Sequence, residues 1–186
     1  MTNRCPCACT FCLRNNGDEL NGSGNLWLDR EPDVSEVKAA FDQFPPDRYE
    51  DIVFCGYGEP TERLEDLLEV AAFAKEKFQK KIRVNTNGLA NLIYGKDVTP
   101  MFGGIVDVIS ISLNTPDPEE YLRLTRSRFG TGSFEAMLSF ARDVKKYVPH
   151  VVMTTVETTI SSEEEEQCRK ICEDLGVTYR IRSFEK

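Results

Sequence analysis

The sequence has 186 residues, 40% of them hydrophobic, which is enough to bury a core and short enough that a single domain, residues 1–186, is expected. With 31 acidic and 23 basic residues the formal net charge is −8, and no run of Lys or Arg could follow a phosphate backbone, which argues against a nucleic-acid binder. No apolar stretch reaches the roughly 20 residues that cross a bilayer, and no leader precedes Cys5. A cytoplasmic protein with no membrane partner is therefore predicted.

Helical and strand-like patterns alternate along the chain. In order, the apolar spacing predicts helix 34–44, strand 51–55, helix 64–78, strand 81–84, a weaker helical segment in 89–102, strand 106–113, helix 133–147, strand 151–156, helix 162–175 and strand 177–184. Such alternation is typical of parallel strands joined by right-handed helical crossovers. The sequence thus predicts an α/β fold.

Glycine and polar residues collect where the predicted strands end, which is where α/β proteins keep their sites. We call the segments that follow the strands the strand exits. Their sequences are Gly56-Tyr57-Gly58-Glu59-Pro60, Asn85-Thr86-Asn87-Gly88 and Asn114-Thr115-Pro116. At the start of the chain, Thr2-Asn3-Arg4 is interpreted as the remnant of a further strand. The strand before Gly56 would then have an exposed edge. The chain is expected to be a fragment or to begin at a wrongly chosen Met.

Four of the seven cysteines fall within eight positions. The cysteines are Cys5, Cys7, Cys9, Cys12, Cys55, Cys168 and Cys172. An odd number, crowded this closely, indicates metal or redox chemistry rather than a disulfide framework. His150 is the only histidine, which excludes zinc sites with two His ligands.

Cys5, Cys9 and Cys12 have the spacing C-x3-C-x2-C, with the aromatic Phe11 before the last cysteine. Three cysteines would leave one iron of a 4Fe–4S cluster with a free coordination position, whereas clusters used only for electron transfer usually take four. The alternative is a structural zinc site with Cys7 as the fourth thiolate.

The spacing resembles the hallmark of the radical S-adenosylmethionine (SAM) superfamily. The resemblance implies a partial (β/α)6 TIM-type barrel, here with its first strand truncated, that binds a 4Fe–4S cluster and SAM and cleaves SAM reductively to a 5′-deoxyadenosyl radical. Cys5, Cys9 and Cys12 are the implied cluster ligands. Further implied SAM contacts are Phe11 at the adenine, Gly56, Gly58 and Glu59 (a G-G-E-P-like segment) at the methionine, Thr86 and Asn87 in a T-N-G exit, Ser112 and Asn114 at the ribose, and Glu157 at the adenosine.

Residues 2–15 resemble more closely the small radical SAM group linked to TatD-type metal-dependent hydrolases. That resemblance implies a functional link to such a hydrolase, and membership of the superfamily implies an external one-electron donor such as a flavodoxin or ferredoxin. The substrate is not implied. The rival hypothesis is a non-catalytic metal-binding protein, either an iron–sulfur electron carrier or a structural zinc protein.

Several of these residues also have purely structural interpretations. The glycines Gly56, Gly58 and Gly88 could serve as turn residues, and Ser112 and Asn114 could cap a turn. Cys168 and Cys172 have the spacing of a helix face packed in a core, and Cys55 is predicted to be an inert core thiol.

Arg123, Arg126 and Arg128 follow the strand predicted at 106–113. They could contact an anionic substrate or the SAM carboxylate, since Arg pairs well with carboxylates. The alternative is a solvated group of charges at a helix end.

Overall fold

Five parallel strands form one sheet in the order of the chain. The computed structural model describes residues 1–15, 17, 25–43 and 48–183. The strands are β1 (Asp51–Phe54), β2 (Lys81–Thr86), β3 (Val108–Ser112), β4 (His150–Val156) and β5 (Thr178–Arg182). Each pairs in parallel with its neighbour. The predicted α/β architecture is confirmed, and its strand order is that of a partial (β/α)6 TIM-type barrel.

In the part of the chain that the structure describes, six α-helices accompany the sheet. They are α1 (Val34–Ala40), α2 (Leu64–Phe78), α3 (Ala90–Tyr94), α4 (Pro118–Thr125), α5 (Ser133–Val144) and α6 (Ser162–Leu175). The helix predicted at 34–44 continues as a 3₁₀ turn, Phe41–Gln43, and Phe44 lies outside the described residues. The segment predicted at 89–102 divides into α3 and the 3₁₀ helix Thr99–Phe102. Within the described ranges, no helix is both long and apolar enough to cross a membrane.

Capping residues explain where the helices begin. Asp33 and Ser161 each close a capping box with the glutamate three residues later, at the starts of α1 and α6. Helix α4 was not predicted, although Asp117 accepts a hydrogen bond from the Glu120 amide and Pro118 occupies the first helical position.

The two faces of the sheet differ in chemistry. Side chains alternate between the faces along each strand. One set, buried beneath the helices, forms the core; its most enclosed members are Ile82, Val84, Ile109, Ile111 and Met153, all 0% exposed. The residues between them point to the opposite face, which lines the interior of the partial barrel. We call that surface the open face.

Strand β1 lies at the edge of the sheet, as predicted, and Val53 is 42% exposed there. Residues 2–4 do not form a strand beside it, so that prediction was wrong. They are held by side chains instead, since Asn3 exchanges hydrogen bonds with the backbone of Leu28 at 2.7 and 3.1 Å. The prediction of a buried Cys55 was also wrong. Strand β1 ends at Phe54, one residue earlier than expected, and Cys55 is exposed beyond it.

Candidate functional site

The cysteine loop, residues 5–12, has no regular secondary structure and lies against the end of α4. The last carbonyls of a helix have no partner within it. Here the Ala8 amide donates to the Thr125 carbonyl and the Thr10 amide to the Leu124 carbonyl, both at 2.9 Å. The Pro6 carbonyl in turn accepts from the Arg128 amide at 2.9 Å. Helix α4 therefore fixes the backbone that carries the cysteines.

The residues after Cys12 turn back over the same loop. They form a short 3₁₀ helix, Leu13–Asn15. The Arg14 guanidinium donates to the Cys7 carbonyl at 2.7 Å, and the side-chain nitrogen of Asn15 donates to the Cys9 carbonyl at 3.2 Å. These bonds add a second set of contacts that hold the loop, beside those from α4.

The four thiols of the loop differ in burial and in acidity. Cys7 is 4% exposed and packs in the core, whereas Cys5, Cys9 and Cys12 are half-buried. The Cys7 thiol lies between its neighbours, and its hydrogen bonds lower the pKa of Cys5 and of Cys9 while raising the pKa of Cys7 itself. Burial raises the pKa of Cys12. Cys7 thus differs from the three cysteines of the C-x3-C-x2-C pattern in being buried.

Within the described ranges, no three His, Cys, Asp or Glu side chains converge closely enough to share one metal ion. The protein ligands of a 4Fe–4S cluster bind different irons across its inorganic core.

Gly58 allows the exit of β1 to approach the N-terminal segment. A Cβ at this position would lie 2.1 Å from the Thr2 carbonyl oxygen and 2.9 Å from that of Arg4. No side chain fits in that space, so glycine is required by close approach rather than by a turn. The next amide, of Glu59, donates to the Arg4 carbonyl at 2.8 Å. The segment resembling G-G-E-P therefore joins directly to the start of the cysteine loop.

The Glu59 side chain, 4% exposed, links the exits of β1 and β2. Its Oε1 accepts from the Thr61 hydroxyl at 2.8 Å and the Thr86 hydroxyl at 2.6 Å, and its Oε2 accepts from the Asn87 amide at 2.8 Å. Burial raises the pKa of Glu59, and these hydrogen bonds oppose the rise. Most of the acceptor capacity of the carboxylate is thus used within the protein, and Thr86 is a partner of Glu59.

Asn87 completes the connection between the strand exits and the cysteines. Its side-chain nitrogen lies 3.9 Å from the Cys7 sulfur, and its side-chain oxygen accepts from the Leu89 amide at 2.9 Å. The structure therefore brings together the cysteine loop, the exit of β1 and the exit of β2, which the sequence separates by some eighty positions.

Between the end of β3 and the end of α4, two buried polar atoms have no partner among the described residues. They are the side-chain oxygen of Asn114 and the hydroxyl of Tyr121, residues that are 4% and 1% exposed. Burial and the nearby Cys7 and Cys9 raise the pKa of Tyr121, which indicates that its ring lies close to the cysteine loop. Buried polar atoms are normally hydrogen-bonded, so an orphaned pair beside this site fits a ligand that would supply the missing partners.

The remaining predicted residues lie around this centre. Phe11 is half-buried within the cysteine loop, and Ser112 is half-buried on the open face at the end of β3. Gly56 is exposed, with open space where a side chain would project. Glu157 is exposed in the turn after β4, with its amide donating to the Arg182 carbonyl at 2.8 Å.

The sequence reasoning missed the residues that fix the loop. These are Arg14, Asn15 and Tyr121, together with the carbonyls of Leu124 and Thr125. The helix-start signal of Asp117 and Pro118 could have identified α4. Nothing in the sequence pairs α4 with a segment more than a hundred positions earlier.

A family model described as the radical SAM superfamily matches residues 1–175. No curated protein matches the sequence.

Solved structures share the fold at low identity. SuiB of Streptococcus suis, bound to its precursor peptide SuiA, superposes with a TM-score of 0.68 at 16% identity, over 99% of this chain and 38% of that one. A radical SAM methyltransferase from Sphaerobacter thermophilus gives 0.66 at 19% identity, over 97% and 52%. A protein named anSMEcpe, with bound SAM, gives 0.66 at 18% identity, over 98% and 49%. The chain spans between about two fifths and half of each of these proteins.

Proposed function

Because the chain belongs to the radical SAM superfamily, which uses a 4Fe–4S cluster and SAM, we propose that it is the catalytic core of a radical SAM enzyme acting on a substrate still to be identified. The observation that carries the proposal is a difference in burial among the loop thiols. Cys5, Cys9 and Cys12 are half-buried, whereas Cys7 is buried in the core.

Cys5, Cys9 and Cys12 are the proposed cluster ligands. Thiolates rather than thiols bind iron, and the Cys7 hydrogen bonds favour the thiolate of both Cys5 and Cys9. The hydrogen bonds from Ala8 and Thr10 to α4 hold the loop in one conformation. The protein's contribution is thus to favour the thiolate of Cys5 and of Cys9 on a backbone that is already fixed.

SAM is proposed to bind at the strand exits. When bound and reduced, the cluster supplies the electron that cleaves SAM to methionine and a 5′-deoxyadenosyl radical; the protein binds, orients and excludes water. Gly58 and the Glu59 backbone are proposed to contact the methionine, with the Glu59 carboxylate keeping the two strand exits together. Phe11, Ser112 and Asn114 are proposed contacts of the nucleoside, with Gly56 and Glu157 at the margin of the site.

Anaerobic reconstitution with iron and sulfide, followed by reduction in the presence of SAM, tests the proposal. The expected result is a 4Fe–4S spectrum and the formation of 5′-deoxyadenosine. A protein that takes up zinc instead, or an iron–sulfur protein that leaves SAM intact, would show that the chain is a metal-binding or electron-transfer protein. The matched control is Cys9→Ala, treated in parallel.

The organisation and partners belong to the same proposal. We propose that residues 1–186 form one domain that works in the cytoplasm with a flavodoxin or ferredoxin as electron donor. The resemblance of residues 2–15 to the TatD-linked group supports a functional link to a TatD-type hydrolase. Copurification of such a hydrolase with the tagged protein from its native cell would test that link, and its absence would count against it.

A further inference from the structure

Three arginines project onto the open face of the sheet. Strand register sets their positions: Arg83 of β2 is opposite Val108 of β3, and Arg180 and Arg182 of β5 are opposite Thr154 and Val156 of β4. Arg83 alternates with Ile82 and Val84, which are fully buried on the helix side, so its side chain points away from the core. Its Nε donates to Asn85, on the same face, at 3.0 Å.

The strands between these arginines present small side chains to the open face. Ser110 and Ser112 of β3 lie opposite Val152 and Thr154 of β4. Long guanidinium side chains from β2 and β5 therefore flank a floor of smaller side chains, in which Ser110 and Thr154 are buried and Ser112 and Val152 are half-buried. Ser112 belongs both to this floor and to the proposed SAM site, so the two are continuous.

The three positive charges have no carboxylate partner among the described residues. Every ion pair found there involves other Arg or Lys side chains. The Nε of Arg182 is buried and makes no hydrogen bond to any residue that the structure describes. Burial and the charge of Arg83 lower the pKa of both Arg180 and Arg182, which indicates that the like charges act on each other across the floor.

The buried Nε of Arg182 makes this arrangement costly unless an anionic group completes it. Buried charges in proteins are normally paired, and a buried N–H without a partner loses the hydrogen bonds that it made to water. The chain carries an excess of acidic residues, yet none of the ion pairs between described residues includes these arginines. Guanidinium groups bind carboxylates and phosphates through paired N–H donors.

We propose that Arg83, Arg180 and Arg182 bind a carboxylate or phosphate group of the substrate, so that the enzyme acts on an anionic molecule. This rests on the proposed function for the meaning of "substrate", whereas the anion site itself does not depend on the cluster. The anion would hold the substrate on the open face, beside the proposed SAM site at Ser112. The SAM carboxylate is the other source of the same chemistry.

Isothermal titration calorimetry of the reconstituted protein with inorganic pyrophosphate and with citrate tests the site. Wild-type protein is expected to bind at least one of the two probes. Arg83→Gln and Arg182→Gln should each weaken that binding by about tenfold or more, since hydrogen bonds to charged groups are worth about 1.5–3 kcal/mol. Arg142→Gln, on the exposed face of α5, is the matched control and should bind as wild type does. Failure of wild-type protein to bind either probe, or equal binding by the variants, would overturn the proposal.

The same variants separate the two sources of the anion. If the arginines serve the substrate, both Gln variants keep the SAM affinity of the wild type while losing the probe. A loss of SAM affinity with unchanged probe binding would assign the arginines to the SAM carboxylate and overturn the proposal. Circular dichroism checks the fold, and Arg180→Gln, at an exposed side chain, provides a third variant that does not disturb the interior.

The outcome is also distinguishable from failure of the proposed function. If the protein forms no cluster or leaves SAM intact, yet binds the probe through these arginines, the anion site is supported and the radical SAM activity is refuted. If the protein cleaves SAM but binds neither probe, the radical SAM activity is supported and the anion site is refuted.

Discussion

Six of the seven cysteines lie in two regions of the molecule, the loop 5–12 and helix α6, and the two regions differ in how they enclose a thiol. Cys5, Cys9 and Cys12 lie in an irregular loop and are half-buried. Cys168 and Cys172 lie one turn apart on α6, at 0% and 1% exposure, where burial raises the pKa of each to about 12. The loop thiols are supported by hydrogen bonds from distant segments, whereas the helix thiols need only the apolar face of their own helix. The setting decides whether a thiol can act as a ligand, and each of the following experiments tests that contrast.

The largest expected effect is the loss of the cluster in Cys9→Ala. Removal of one proposed ligand should abolish incorporation, measured as iron and sulfide per chain and as visible absorbance. Cys7→Ala is the matched variant, two positions away, and should keep the cluster because Cys7 packs in the core. The reverse result would show that the three ligands have been wrongly chosen.

Alkylation of the metal-free protein should distinguish the two regions next. Thiolate is the reactive form, and a pKa of about 12 leaves only about one in 10⁵ of the α6 thiols ionised at pH 7. The lowered pKa of Cys5 and Cys9 means that their labelling should level off at a lower pH than the roughly 8.5 of a free thiol. Mass spectrometry after iodoacetamide at a series of pH values would measure this. Labelling of Cys168 before unfolding would contradict the contrast.

A serine in place of a helix thiol should cost stability and leave the cluster unaffected. Cys168→Ser buries a hydroxyl among apolar groups and is expected to lower the free energy of unfolding by about 1–3 kcal/mol. Cys55→Ser, at the exposed end of β1, makes the same chemical change and should stay within about 0.5 kcal/mol of wild type. Urea denaturation measures both, with iron content as the second readout. A fall in iron content with Cys168→Ser would give α6 a role in the site.

The smallest expected effect comes from the backbone of the loop. Thr10→Pro removes the amide that donates to the Leu124 carbonyl and should destabilise the metal-free protein by about 1 kcal/mol, with slower cluster uptake. Thr10→Ala keeps the amide and is the control, since the Thr10 side chain is exposed. Equal uptake by both variants would mean that α4 does not hold the loop.

The fold was largely predictable because its signals are local. Helices α2 and α6 have the predicted bounds, since their apolar spacing is regular and α6 begins with a capping box. Helix α4 has only eight residues, and its buried positions are Tyr121 and the polar Thr125, so its apolar pattern was too short to be recognised.

The sequence predicted which residues belong to the site better than it predicted the contacts between them. The sequence indicated Glu59, Thr86 and Asn87 separately, but their hydrogen bonds join positions 27 and 28 residues apart. The alternation in β2 and β5 indicates which face Arg83 and Arg180 occupy, but only the strand register aligns them across the sheet. Which residues contact one another depends on how distant segments pair in three dimensions, and a single sequence does not specify that pairing.

The attachment of the loop to α4 sets an order of events during synthesis. The amides of Ala8 and Thr10 find their partners at Thr125 and Leu124, more than 110 positions further along the chain. At a translation rate of roughly 5–20 residues per second, the cysteines emerge some seconds before the helix that holds them. During that interval the nascent chain carries exposed thiols with no fixed geometry. The loop can therefore reach its hydrogen-bonded conformation only after α4 has left the ribosome, and oxidation of the thiols has its widest opportunity before then.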